Sequence, residues 1–470
     1  MQGRWWAANL AAMGMSLACG SPNGEQLGSS AQAVSGTLDD RSIVVQDPAV
    51  LARFPFARTM GQIRGSMLLP GEAYASGENR LAIYQRWMRS FDTGVDGCDR
   101  AGVDPNDYGL VCPRLPEAQL ATIDPFADGA TIHFEPVGLF NRFDLTPADG
   151  RTCGEHRIVY AMNTEAGAPF SGRAFIIFEA ALPNPTPSRG VDGCLPVAQF
   201  WQALTDDPDV NSRATKLEAF YYGGTAIPGF PPVVAALNYG LNDGTGPVLR
   251  GRPGQIRTNF FVDFREWHLR EFKLRKNCPT PTTCRQLFAH QTVKANPAEE
   301  LFAGTHANAD AYQAEFITQV AGLAATDLNL IAMTTGNNFN EFESVSQAGN
   351  VVYRNVAEAD LRTAIRTELT RLGSGLSVNN ILDRATTQTC AGCHQVSVGT
   401  RLGGGLTWPS SAIQGFVHID EGGELSPALR DVFIPHRIRV LEDFINDREA
   451  LLSRLGAEAT LSGRPIDSPN

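Results

Sequence analysis

The chain has 470 residues, 43% of them apolar and 19% charged, with 46 glycines, 29 prolines and a net charge of -11. That length exceeds one ordinary core of about 100 to 200 residues, so two or three domains are expected, and the apolar content is that of a folded chain. The acidic balance and the lack of a basic tract argue against a nucleic-acid partner, whose phosphates need clustered Lys and Arg.

The first stretch, MQGRWWAANLAAMGMSLACG, carries one arginine, an uncharged run from Trp5 to Ala18, and then Cys19. This is the layout of an export signal, with cleavage before Cys19 and a lipid on its thiol. Ser16 stands where a larger aliphatic residue is usual, and ordinary cleavage after Ala31-Gln32-Ala33 is the alternative. The expected product is exported and is periplasmic or an outer-membrane lipoprotein. Its membrane contact would run through Cys19, since no later uncharged apolar run approaches the about 18 residues of a spanning helix. Residues 1–19 thus form the signal segment, and residues 20–45, rich in Ser, Gly and Gln, read as a flexible linker.

Residues 46–295 read as a disulfide-stapled α+β domain. ENRLAIYQRWMRSF places Leu81, Tyr84, Trp87, Met88 and Phe91 at helical spacing, so an amphipathic helix is expected, its aromatics serving the core. From residue 130 to 275 the pattern turns to strands. TIHFEPVGLFNRFDL, EHRIVYAMN and GRAFIIFEAAL are short β-branched or aromatic runs bounded by Pro, Gly and Asp; GQIRTNFFVDFREWHLREFKL reads as two strands about a tight connection. Helical patches CLPVAQFWQALTDD and NSRATKLEAFYYGG lie between them, the second stopping at a glycine pair. The sheet expected here is mixed α/β.

Polar residues crowd these strands. Asn141, Arg142, Asp144, Glu155, His156 and Arg157 fall close together, and Arg257, Asn259, Arg270 and Glu271 repeat the theme. Charges in apolar strands are costly unless paired, so a structural ion-pair network is the first reading and a polar pocket the second. The sequence has no HExxH, GxSxG or phosphate loop, which leaves hydrolase and nucleotide-binding readings without support.

After Cys284 the chain is expected to turn helical, and residues 296–470 read as a mainly helical region. NADAYQAEFITQVAGLAA, AEADLRTAIRTELTRLG and SVNNILDRATTQTCAGCH all show three-and-four spacing, the last opening at a Ser377 cap. A Gly-rich irregular stretch, GTRLGGGLTWPSSAIQGFVHIDEGGELSP, leads to a final helix in PHRIRVLEDFINDREALLSRLG.

The nine cysteines sort by context. Cys19 is the lipid site; Cys98, Cys112, Cys153, Cys194, Cys278 and Cys284 are an even set that an oxidising compartment lets pair, nearest neighbours first; Cys390 and Cys393 remain. The last two lie in Cys390-Ala391-Gly392-Cys393-His394, which resembles the haem-attachment motif of c-type cytochromes: two thiols for the vinyl groups and an imidazole for the iron. The cofactor expected is one covalent haem c on Cys390 and Cys393, with His394 as iron ligand. Zinc is the alternative, using Cys390, Cys393 and imidazoles from His394, His418 or His436, although a structural zinc site has four ligands and no second Cys pair follows. A plain disulfide would explain the thiols but not His394.

The last methionine is Met333, so no methionine downstream of the motif can face His394 across the iron. His418 and His436 are the imidazoles that follow; without either, the iron would be open to peroxide or oxygen. Arg401 and Arg437 are candidate partners for haem carboxylates, and Trp408 for packing on the macrocycle, beside ordinary surface and core roles.

The chain carries the segments Asn141-Arg142-Phe143-Asp144-Leu145, Gly154-Glu155-His156-Arg157, Ile256-Arg257-Thr258-Asn259, Leu269-Arg270-Glu271-Phe272, the CxGCH motif, Phe416-Val417-His418-Ile419 and Leu425-Ser426. In these the chain resembles a group of exported bacterial proteins of unassigned function, over most of residues 130 to 435. The resemblance carries no reaction with it, but it places an imidazole after the motif and so favours His418 over His436.

The fold expected is α+β, an N-terminal mixed sheet domain followed by a helical, cytochrome c-like region. The function expected is electron transfer or haem-linked redox chemistry at the cell envelope, with a redox partner protein. The alternative is a non-enzymatic envelope binding protein whose CxxCH holds structural zinc or a disulfide.

Overall fold

The computed structural model describes residues 39–94, 112–168, 172–241, 253–261, 268–291, 296–336, 339, 344–345, 352–410, 419–449 and 451. The strands are β1 Val44–Val45, β2 Ala73–Tyr74, β3 Ile132–Arg142, β4 Thr152–Thr164, β5 Arg173–Pro183, β6 Gln255–Phe261, β7 His268–Thr280, β8 Thr283–Gln291 and β9 Ser344–Val345, the longer ones rich in β-branched and aromatic residues. They form one nine-stranded sheet in the order β1-β3-β4-β5-β6-β7-β8-β2, with β9 on β7. Neighbours run antiparallel except β2, which lies parallel to β8. Helices before, between and after the strands complete an α+β fold.

Strand β8 corrects one expectation. The chain does not turn helical after Cys284 but runs on as a strand to Gln291. Gln286 and His290 occupy inward positions of that strand, and both are buried, so the alternation that betrays a strand is disguised by polar residues on its core side.

The two faces of the sheet differ in kind. On one, Phe134, Tyr160, Phe178, Phe272 and Phe288 meet the helices Phe56–Gly65 and Arg80–Arg89. Phe56 packs 5.1 Å from Phe134 and 5.3 Å from Tyr160, and Trp87 stacks on Phe288 at 4.0 Å. The second helix starts where expected, with the Asn79 side chain accepting the Ala82 N–H at 2.9 Å, and Tyr84, Trp87 and Met88 are core residues. The other face carries Glu155, Arg157, Glu179, Arg257 and Glu271 of β4 to β7. Buried apolar side chains from the first strand to the final helix, Ile434–Asn446, form one connected core. No helix among the described residues is long and apolar enough to cross a membrane.

Two expected disulfides form, Cys153–Cys194 and Cys278–Cys284. The first joins β4 to the start of the helix Leu195–Thr205; the second clips the β7–β8 hairpin. Cys112 is disulfide-bonded too, while Cys98 lies outside the described residues.

His156 was grouped by sequence with its charged neighbours, but alternation along β4 turns it to the apolar face. It is fully buried, parallel to Trp201 at 5.8 Å and edge-on to Phe220 at 5.1 Å. Burial pushes its pKa down from the ordinary 6.5 to about 3, offset only in part by the Cys153 backbone and Glu155. The folded state therefore holds the ring neutral while the unfolded chain protonates near 6.5, so this contribution to stability is full above that value and is lost as pH falls toward 3. Urea unfolding at pH 7 and pH 5 should show His156→Phe sparing the protein a loss of about 2 kcal/mol that the wild-type histidine causes over that interval. An equal loss in both proteins would refute this.

Candidate functional site

The CxxCH motif follows the helix Val378–Thr387, whose start is set by a reciprocal cap: Ser377 Oγ accepts the Asn380 N–H at 3.2 Å and Asn380 Oδ1 accepts the Ser377 N–H at 2.9 Å. Ile381, Leu382 and Ala385 bury one side of this helix. Between them points Arg384, 1% exposed, whose guanidinium donates to four carbonyls: Leu402 at 2.8 Å, Leu323 at 2.8 Å, Ala325 at 2.8 Å and Gly403 at 3.1 Å. Burial lowers its pKa. Arg384 thus ties the helix to two other segments, one of them a small hairpin of β10 Arg401–Gly403 and β11 Leu406–Thr407 in the stretch expected to be irregular.

The helix stops at Thr387, and a threonine-rich turn reshapes the backbone before the motif. Thr387 Oγ1 donates to the Arg384 carbonyl at 2.6 Å; Thr389 Oγ1 donates to the Thr386 carbonyl at 2.9 Å and accepts the Gly392 N–H at 2.8 Å. Helical winding resumes at Cys390 and widens into a π-type turn over Gly392–Val396. A glycine is needed at 392, because a Cβ there would sit 1.7 Å from the Thr386 carbonyl oxygen. The Cys393 N–H donates to the Thr389 carbonyl at 2.9 Å, and the buried Trp408 indole donates to the Cys393 carbonyl at 3.3 Å while packing 5.8 Å from Phe433. Trp408 therefore supports the motif from within the core.

Cys390 and Cys393 are half-buried and take no part in a disulfide, with each other or elsewhere. His394 sits in the π-type turn, and only its backbone is described; Cys19 and His418 lie outside the described residues. His436, on the final helix, stands near Asp327. Burial raises the pKa of that carboxyl, but its Asn329 hydrogen bonds, with His436 and Arg439 nearby, bring it below the usual value. Arg401 is exposed on β10, and Arg437 is half-buried.

The second constellation forms a cross-strand ladder on the polar face. Arg142 makes a paired contact with Asp144 at 2.9 and 2.8 Å, and Arg157 contacts Glu155 at 2.5 Å. Glu179 on β5, not singled out in the sequence, lies between: its oxygens take Arg157 at 2.9 Å, Arg257 at 3.3 Å and the Gln255 amide at 2.7 Å. Arg257 also meets Glu271 at 2.9 Å. Burial works against the Arg257 cation, but Glu179, Glu271 and Glu155 outweigh it and raise its pKa. Asn141 is structural, its amide donating to the Ser42 carbonyl at 2.9 Å and its oxygen accepting the Phe143 N–H at 2.9 Å. Arg270 pairs in register with Thr258 and faces the opposite side.

Cys390 lies within electrostatic range of both Arg257 and Tyr353. Tyr353 is itself fixed, its hydroxyl donating to the Pro297 carbonyl at 2.6 Å and its ring stacked on Phe302 at 3.8 Å. Among the described residues one trio of His, Cys, Asp or Glu has metal-ligand proximity, Glu72 with Cys278 and Cys284, and those two sulfurs are already bonded to each other.

Comparison with family models, curated proteins and solved structures finds no match. Arg384 and Glu179 escaped the sequence reading, although each left a signal: a lone arginine on the apolar side of a helix, and a lone glutamate within the strand GRAFIIFEAAL.

Replacing Arg384 with Met strands its carbonyl partners in the core and should cost about 3 kcal/mol or more in urea unfolding. Hydrogen exchange should localise the loosening to Leu402–Gly403 and the motif; unchanged protection there would refute the clamp.

Proposed function

We propose that the protein is an exported c-type haem protein, carrying one covalent haem at Cys390 and Cys393 and working in electron transfer or haem-linked redox chemistry at the cell envelope. The observation that carries this reading is the state of the cysteines: the described cysteines outside the motif are disulfide-bonded, whereas Cys390 and Cys393 are left as half-buried thiols on a braced turn. Such a pair suits thioether attachment, in which His394 would hold the iron and His418 would be the candidate for a second ligand. Haem in such a site supplies one-electron chemistry at its iron.

The chain's own residues contribute position and charge. Arg384, Thr389 and Trp408 fix the backbone that carries the thiols. Arg257, held by Glu179 and Glu271, keeps a fixed ion-pair cluster within electrostatic range of Cys390. Cys19 would carry the lipid that keeps the protein at the membrane, within reach of a redox partner protein.

Mature protein made in a host with haem-attachment machinery should show a Soret band and the mass of one haem per chain. Cys390→Ala with Cys393→Ala should abolish the covalent mass while leaving the far-ultraviolet circular dichroism unchanged. Stoichiometric zinc without iron, or a chain with no covalent group, would overturn the proposal.

A further inference from the structure

A second site is built at the opposite end of the sheet from the β7–β8 hairpin. β1 pairs with β3 only at Leu139 and Phe140, and among the described residues no backbone hydrogen bond from another segment reaches the outer side of Phe134–Val137. The ladder fixes which groups face outward there. Glu165 donates to the Thr131 carbonyl on the inner side, so the odd residues up to the irregularity at Pro136–Gly138 bond to β4 and the even ones point away. Past the irregularity the phase switches, and Asn141 donates outward to the Ile43 carbonyl. The outward set is therefore the Phe134 N–H with the Phe134 and Pro136 carbonyls. Pro136, which has no N–H, sits where none is needed.

A groove of about 1160 Å³ includes this edge in its lining, and its two walls are unlike. Leu51, Phe56, Phe126 and Phe134 stand on the helix side, with Phe56 stacked 5.4 Å from Phe126. Glu135, Glu421, Glu424 and Leu425 stand on the other. Asp128 and Glu165 add exposed carboxylates to the lining. Of the nearby cations, Arg173 is taken by Glu421 at 2.5 Å, Arg430 by Asp431 at 2.7 Å, and Arg80 lies 4.5 Å over the Phe126 ring; Asp128, Glu135, Glu165 and Glu424 still leave an acidic excess.

We infer that this groove binds an extended cationic peptide segment, which adds to the β3 edge as a strand beyond the end of β1. The occupant's chemistry follows from the pleat: successive side chains of an added strand point to opposite faces, so alternate positions meet the aromatic wall and the acidic wall. Apolar residues alternating with Lys or Arg fit both; the charge on Glu135, Glu165 and Glu424 rules against an acidic segment.

The test uses the full mature chain and fluorescent Val-Lys-Val-Lys-Val-Lys, capped at both ends, with Val-Val-Val-Lys-Lys-Lys as a control of identical charge. Saturable binding of the alternating peptide is expected, about tenfold tighter than the control. Binding should weaken about tenfold in Glu135→Lys/Glu424→Lys, whose substitutions are exposed and whose circular dichroism should match wild type. Methylating the peptide's amide nitrogens at alternate positions should abolish it. Equal binding of both peptides, indifference to N-methylation or an unaffected charge-reversal variant would overturn strand addition. So would failure of the peptides to bind by a protein that dimerises with concentration, which would give the edge to a second copy of the chain.

Discussion

A carboxylate without solvent has to be neutralised where it stands, and Glu179, 1% exposed at the centre of the sheet, imposes that condition on its neighbours. Arg157 and Gln255 come from the strands on either side in direct register with it, and Arg257 reaches it from one rung along. A slip of one residue would carry these groups to the other face and leave the charge uncompensated, so the same contacts that satisfy Glu179 hold β4, β5 and β6 in alignment. Arg257 then cannot be freely repositioned, and its charge has a fixed location within electrostatic range of Cys390.

The motif is held by quite different means. Arg384 gathers carbonyls rather than carboxylates, so its grip involves no counter-ion that added salt could screen or acid could protonate. The threonines and Gly392 complete the turn by local hydrogen bonding and close backbone approach. Sheet and motif are thus braced by independent means.

Much of this was legible in the chain. The spacing in ENRLAIYQRWMRSF, the strands bounded by Pro and Gly, the Ser377 cap and two nearest-neighbour disulfides all appear as read. These are local features, decided within a few residues. What escaped depends on partners far along the chain: β8 hides behind inward-facing Gln286 and His290, and Glu179 looks incidental until register sets it between two arginines. His156 misled because its neighbours in sequence are charged, whereas its neighbours in space, across the pleat, are Trp201 and Phe220. CxxCH announced itself, but the electrostatic reach of Cys390 to Arg257 joins strands to a motif more than a hundred residues later.

Both margins of the large sheet are finished by strands of two residues, β1 and β2, that belong to the start of the described chain. Each awaits a partner made much later: Val44 pairs with Phe140, and Ala73 with Thr283. A chain emerging from its N-terminus therefore carries its edge pieces first and can seat them last, after β3 and β8 exist. Contacts of such long sequence separation form slowly, and because Phe140 is made well before Thr283, the β1 margin can close at an earlier stage of synthesis than the β2 margin.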